Sequence, residues 1–255
     1  MNFNKLAEEA NQEMPEFRHG TSILVKPNVD LESLESKKVN VKFSINNKDV
    51  IVKHKVDDKI FELFTNKKWN IEKKKLYHLH QKKVNYFVYL KIHKSIEEPI
   101  IIELDCDDNV FLSFFILAEK NTKSTIILNK KGINYSEDIR ILAQKNSNLD
   151  VVFVDTLFEV NIQKISTLNK ENSVINIINT CLNCKYKKTD IINTLQGNNS
   201  QANTSVLFHS KDDQIFDIYT AAFHEGKETT SNIITRGVVL DKSKALSRGL
   251  IKISK

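Results

Sequence analysis

The chain has 255 residues, which is enough for one large domain or for one domain with a small additional lobe. Its hydrophobic content of 40% and charged content of 27% are ordinary for a soluble globular protein. The net charge of +6 comes with only four arginines among 38 basic residues, and this disfavours a nucleic-acid-binding protein, because such sites favour the planar arginine fork.

Cysteine usage and the absence of sorting signals predict the cellular compartment. The three cysteines, Cys106, Cys181 and Cys184, are too few and too odd in number for a disulfide framework. The first residues lack the apolar segment of a secretory signal, and no run approaches the ~18 apolar residues of a membrane span. We therefore expect a cytoplasmic or organelle-interior protein with neither a membrane nor a nucleic acid as its partner.

Residues 1–75 differ in pattern from the rest and predict a small α/β region of unknown role. A short helix is predicted over Asn4–Met14. Two strands are predicted over Val39–Ile45 and Val50–Val56, and a helix follows over Asp57–Thr65.

Residues 76–255 predict an all-β core built from recurring short strands. The predicted strands are Tyr86–Ile92, Ile100–Leu104, Val110–Leu117, Ser124–Leu128, Ile139–Ala143, Leu149–Leu157, Ile162–Leu168, Val174–Thr180, Thr189–Leu195, Thr204–His209, Ile215–Phe223, Asn232–Val239 and Ala245–Ile253. No segment between them is long and periodic enough for a crossover helix. The chain has no Asn-Gly, Asp-Gly or Gly-Gly dipeptide for a tight hairpin, and its asparagine-rich connections suit single left-handed bends. This pattern favours a parallel β-solenoid, with a β-sandwich as the alternative.

An ordered set of glycine and polar positions marks the last third of the chain. Its members are Gly197, Asn199, Ser200, Asp217, Thr220, His224, Ser231, Arg236, Gly237 and Gly249. In order and spacing the set resembles the core domain of the SufB/SufD family, the scaffold subunits of the Suf iron–sulfur cluster assembly system. Looser matches at Phe87–Leu90, Glu98–Ile100 and Phe114–Ile127 extend the resemblance to roughly residues 80–253.

The resemblance implies a right-handed parallel β-helix that acts as a non-catalytic scaffold with a SufC-type ATPase and a SufB-type subunit. The chain has no Gly-x-x-x-x-Gly-Lys-Ser/Thr motif, which fits ATP hydrolysis by a partner. No cofactor is expected on this chain alone, and an iron–sulfur cluster is implied only transiently or together with partner subunits.

The sequence departs from the family pattern in two places. It stops at Lys255, so the family's C-terminal segment, which docks SufC and supplies residues implicated in cluster assembly, has no counterpart. The chain is then either a shortened scaffold or a fragment. Asn193 stands where SufB has a cysteine, which makes the chain closer to SufD. A solenoid that ends at a coil leaves an unpaired edge, and we expect dimerisation there, with a SufB-type subunit or a second copy.

Four residues are weaker candidates for metal or sulfur chemistry. Cys181 and Cys184 have the spacing of a thiophilic-metal or redox pair, but strand positions three apart face opposite sides, and buried thiols are the alternative. His78 and His80 share one face if their segment is a strand, which permits a two-point metal contact, with a solvated strand as the alternative.

The set of family-like positions contains Asp217, Thr220 and His224, for which two roles are open. Asp217 and His224 are an odd number of residues apart, so they point to opposite faces of a strand and are not expected to form a catalytic pair. These side chains either hydrogen-bond across coils or face a partner subunit. Two other functions stay open: a β-helix enzyme acting on polysaccharides, and a basic nucleic-acid-binding module.

Overall fold

The computed structural model describes residues 38–55, 57–65, 69 and 75–254. Within these ranges the elements are β1 Lys42–Ile45, β2 Ile51–Lys53, α1 Asp58–Thr65, α2 Lys75–Lys83, β3 Tyr86–Ile92, β4 Ile100–Ala118, β5 Lys123–Ala143, β6 Asn148–Asn169, β7 Val174–Leu195, β8 Gln201–Ser210, β9 Ile215–His224, β10 Thr230–Val239 and β11 Lys244–Ile253. The helix predicted over Asn4–Met14 lies outside the described residues.

Parallel pairing between successive coils builds the main body. Lys123 lies opposite Asn148 and Ile215 lies opposite Lys244, so one coil takes 25 to 29 residues. The coils stack into a β-solenoid of about six turns, and 68% of the structure is strand. The predicted parallel solenoid is confirmed, and the β-sandwich alternative is wrong.

Each of the long strands β4 to β7 bends midway and so contributes to two sheets. The first half of β7 pairs with β8, whereas its second half pairs with β9. The first sheet consists of the first halves of β4 to β7 together with β8 and β10. The second sheet consists of β3, the second halves of β4 to β7, β9 and β11. The sequence predicts two short strands per coil because hydrophobic alternation breaks at the bend, but in β6 and β7 backbone pairing resumes directly after it.

Asparagines in the left-handed region form one line of turns, as the sequence predicts. The φ angles of Asn121, Asn146, Asn172 and Asn199 lie between 54° and 61°. Their side-chain amides stack as a ladder, with hydrogen bonds of 2.9, 3.0 and 3.2 Å between successive coils. Each amide therefore satisfies its neighbour while the residue adopts a conformation that asparagine tolerates.

The opposite line of bends contains one residue that does not suit its conformation. Leu157, Asn183, Asp212 and Asp241 occupy equivalent bends, with φ angles between 56° and 61°. Asn and Asp suit this region, but a leucine is strained there. The side chain of Leu157 is also 63% exposed, so little of it is buried in the core.

The hydrophobic core fills the space between the two sheets. In the first half of β6, the inward Leu149, Val151 and Phe153 are fully buried, whereas the residues between them are partly exposed. The second half of β6 is buried on both sides. On the outer side of the second sheet, Ile60 and Trp69 belong to a separate apolar cluster with strand residues such as Phe115.

Short antiparallel strands cover the N-terminal edges of the solenoid. β1 pairs with β4 and β2 pairs with β3. Capping of this kind satisfies backbone groups that would otherwise template pairing with another chain. The division of the chain at residue 75 stays a prediction. Neither helix in the described part of the chain has the length and apolar character needed to cross a lipid bilayer.

We predict that Leu157→Asn raises the free energy of unfolding by about 1 kcal/mol, because asparagine removes the left-handed strain and little buried apolar surface is lost. Chemical denaturation monitored by circular dichroism measures the change. The matched control is Asn183→Leu at the equivalent bend of the next coil, which should destabilise the protein by a similar amount. A lower stability of the Leu157 variant would contradict this account.

Candidate functional site

A row of stacked inward positions on the first sheet places charges inside the solenoid. In register from coil to coil, the row consists of Leu104, Lys130, Asp155, Cys181, Phe208 and Gly237. Lys130 has the same strand parity as the buried Ile126 and Leu128, so its side chain enters the core. The sequence interpretation missed this charge, although the alternation of the strand signals it.

Two lysines and two carboxylates meet in this interior. Lys130 forms ion pairs with Glu137 and with Asp155, the latter at 2.9 Å, and Lys187 forms an ion pair with the same Asp155. All four side chains are at most 1% exposed. Burial of isolated charges is costly, so the equal numbers of cations and anions are what make this arrangement tolerable.

Three amide side chains complete the network. Asn161 donates to Glu137 at 2.6 Å, and Asn179 donates to Gln163 at 2.7 Å. Lys187 donates to Asn161 and, at 3.3 Å, to Gln163. Because these contacts connect both sheets, the network holds the two walls of the solenoid in one register.

The charged forms of the buried pair are maintained by their mutual attraction. Burial is the largest single influence and acts to lower the pKa of Lys187, but Asp155 together with the nearby Cys181, Cys184 and Glu137 outweighs it and holds the pKa above its ordinary value. Burial acts to raise the pKa of Asp155, but Lys130 and Lys187 outweigh it and hold that pKa below its ordinary value. Both groups are therefore ionised at neutral pH.

Cys181 and Cys184 lie beside this network and touch each other. Both are buried in the same core cluster, and Cys184 acts on the pKa of Cys181. The expectation that they face opposite sides is wrong, because Asn183 turns the chain between them with a φ of 58°. Burial raises the pKa of Cys181 well above its ordinary value, which favours the thiol over the thiolate that metals and sulfur transfer require.

Apolar side chains close the polar interior at both ends. Leu104 and Leu112 lie on the coil before it. Phe208 and Phe216 lie on the coil after it, with ring centroids 5.7 Å apart in a T-shaped contact. The backbone of Gly237 lies directly against the Phe208 ring, because a Cβ at this position would come within 2.1 Å of the ring.

The first three family-like positions form a turn. Gly197 lies against the backbone of Glu171, where a Cβ would meet its nitrogen at 1.9 Å. Asn199 adopts the left-handed conformation in the asparagine ladder, and the Ser200 hydroxyl donates to the Gly197 carbonyl at 2.7 Å. This geometry ties adjacent coils together.

The polar family-like positions on β9 and β10 make two separate groups of contacts. Asp217 accepts from Lys188 at 3.1 Å and from Arg248 at 2.5 Å. His224 is hydrogen-bonded to Thr229 at 2.8 Å and to Ser231 at 2.9 Å. The structure therefore does not bring Asp217 and His224 together.

The other family-like positions are Thr220, Arg236 and Gly249. The Thr220 hydroxyl donates to the Arg248 carbonyl at 3.5 Å. Gly249 pairs with Thr220 in the neighbouring strand, and Arg236 is exposed on β10.

His80 lies on α2, so the strand that a two-point metal contact by His78 and His80 would need is not formed. Residues two apart on a helix do not face each other, which removes the argument for a two-point metal contact. His80 is buried, with one ring nitrogen 2.9 Å from the Ser136 hydroxyl and the other 3.3 Å from the Ser113 hydroxyl. Burial lowers the pKa of His80 to about 4. Across the described ranges, no three His, Cys, Asp or Glu side chains are grouped to hold a metal ion.

A cleft of about 420 Å³ lies on the outer side of the first sheet beside β1. Its carboxylates are Glu103 and Asp105. Asp105 is ion-paired with Lys131 at 3.0 Å, and Glu103 accepts from Ser44 at 3.3 Å. This arrangement does not favour a polysaccharide-acting enzyme, which needs a carboxylate pair committed to its substrate.

We predict that Lys187→Met lowers the free energy of unfolding by about 3–5 kcal/mol, because Asp155 keeps a buried charge without its second cation. The double variant Lys187→Met/Asp155→Asn should recover part of this loss, since the Lys130–Glu137 pair remains balanced. Urea denaturation measures both. The control is Lys185→Met, whose side chain is 62% exposed and should cost under about 1 kcal/mol. Equal losses for Lys187 and Lys185 would contradict a structural role for the network.

We predict that His80 makes folding sensitive to acid. Its folded pKa of about 4 lies below the ordinary 6.5, so its stabilising effect is complete above pH 6.5 and is lost as pH falls towards 4. The full loss is about 3 kcal/mol by linkage. The difference in unfolding free energy between wild type and His80→Gln should shrink over this window, and His93→Gln, at an exposed position, serves as the control. A constant difference between pH 7 and 4.5 would refute this prediction.

The comparisons with known proteins agree with the fold. No curated protein matches the sequence closely enough to count as a relative. The family model described as "SUF system FeS cluster assembly, SufBD core domain" matches residues 103–255, which run from within β4 to the last strand. On this evidence the chain belongs to the SufBD core-domain family of the Suf iron–sulfur cluster assembly system.

Proposed function

We propose that this chain is a non-catalytic, SufD-like scaffold subunit that works with a SufC-type ATPase and a SufB-type subunit. The observation that carries the proposal is the family match, because it spans nearly the whole solenoid. An iron–sulfur cluster is then cargo that the assembled complex handles, and the chain alone binds none. The cytoplasm or an organelle interior is the proposed location.

The environment of Asn193 supports the SufD-like assignment. Asn193 stands where the SufB pattern has a cysteine, and it is buried. Its amide oxygen accepts from Thr167 at 2.9 Å, and its amide nitrogen donates to Thr204 at 2.9 Å. The Asn193 amide is therefore hydrogen-bonded to the coil on either side, and such fully paired buried groups have a structural role rather than a reactive one.

The described solenoid offers strand pairing at one end. β1 and β2 cover the N-terminal edges, whereas the outer edges of β10 and β11 are unpaired among the described residues. Ile251 and Ile253 next to that edge are 58% and 75% exposed. We propose that a SufB-type subunit or a second copy pairs here, since unpaired strand edges are templates for pairing with another chain.

We predict that the chain co-purifies with the SufB- and SufC-type proteins of its own source after anaerobic co-expression. Retention of both proteins supports the scaffold proposal. Retention of the SufB-type protein alone indicates that the chain binds this partner through the solenoid edge. Ile251→Lys/Ile253→Lys should reduce retention of the SufB-type subunit, because it adds charge to the pairing edge. Ile101→Lys, at a 36% exposed position on the first sheet, is the matched control. Retention of neither protein by wild type would refute the proposal.

A further inference from the structure

Three successive coils expose an aliphatic side chain at the same bend. Ile133 is 42% exposed, Leu157 is 63% exposed and Leu182 is 43% exposed. They follow one another at the bend between the first and second sheets, where Thr156 pairs with Leu182 and the register shifts after Lys131. We call these three residues the corner ridge.

Folding does not explain the presence of Leu157 in this ridge. Its φ of 61° is a conformation that Asn183, Asp212 and Asp241 adopt at the equivalent bends with residues that suit it. An asparagine at position 157 would relieve strain and reduce the exposed apolar surface. A strained and exposed residue that the fold does not need is a sign of function.

Acidic residues lie at both ends of the corner ridge, although the chain as a whole carries a charge of +6. Asp107 and Asp108 are exposed at the bend of the preceding coil, and Asp212 and Asp213 are exposed at the bend of the following coil, with Lys211 beside them. From the spacing of strands, these two ends are about 20 Å apart.

Neighbouring lysines do not cancel this pattern, because two of them are already paired. Lys131 pairs with Asp105 at 3.0 Å, and Lys185 pairs with Glu159 at 3.6 Å. The corner therefore presents an apolar centre with an acidic excess at each end.

We propose that the corner ridge is a protein-docking site, and that its partner presents an apolar groove with lysine or arginine at both ends. The aliphatic side chains would supply desolvated contact area, and the aspartates would set orientation and association rate. This inference rests on the proposed function, since the partner is a subunit of the same assembly complex. It adds a surface on the side of the solenoid, separate from the pairing edge of β10 and β11.

The test measures binding of the purified chain to the purified SufB- and SufC-type proteins by biolayer interferometry. Leu157→Asn should raise the dissociation constant for one of these two proteins about tenfold or more, while the melting temperature of the chain is unchanged or higher. The matched control is Ile178→Thr, because Ile178 is 39% exposed on the flat outer side of the same strand as Leu182. Control binding should stay within about threefold of wild type.

A charge variant tests the chemistry of the partner. Asp107→Lys/Asp108→Lys should slow association about tenfold at low salt, and high salt should remove the difference. Unchanged binding of the Leu157 variant would overturn this inference while leaving the scaffold proposal intact. An unchanged association rate for the charge variant would overturn the inference that the partner's groove has lysine or arginine at its ends. Failure of wild type to bind either protein would overturn the proposed function and this inference together.

Discussion

Parallel pairing between coils is the constraint on which the rest of the structure depends. Because each strand lies in register on the strand one coil away, every residue stacks on its counterpart. Favourable stacks are therefore repeated along the axis, as the asparagine ladder of Asn121, Asn146 and Asn172 shows. Unfavourable stacks must be compensated locally, and the interior charges are where this compensation is most visible.

The interior network follows from that constraint. Once Lys130 enters the core, the next coil places Asp155 on it, and Lys187 meets Asp155 from the opposite sheet. Net neutrality and the surrounding amides make the burial tolerable, and apolar residues such as Leu104 and Phe208 separate the network from both ends. The network is therefore a brace between the two walls of the solenoid.

Much of the fold could be predicted from the sequence because strand alternation and asparagine bends are local signals. All the strands from Tyr86 onward fall close to their predicted positions. No helix was predicted over Lys75–Lys83, and His78 and His80 would share one face only in a strand, yet this segment is a helix that buries His80. The pattern within so short a segment does not decide between the two.

The interior contacts were harder to predict because they depend on the number of residues in each coil. The inward direction of Lys130 could be read from its parity with Ile126 and Leu128. Its pairing with Asp155 requires knowing that the coil there takes 25 residues. The contact between Cys181 and Cys184 likewise depends on the left-handed bend at Asn183, which reverses the parity expected of an unbroken strand.

The proposed function is that this solenoid supports iron–sulfur cluster assembly without carrying out the chemistry itself. The most direct measurement is anaerobic reconstitution of cluster formation on an acceptor protein by the SufB- and SufC-type partners, with and without this chain. The account predicts that cluster formation rises when the chain is added, while the chain alone with iron, sulfide and ATP forms none. Equal cluster formation with and without the chain would contradict it.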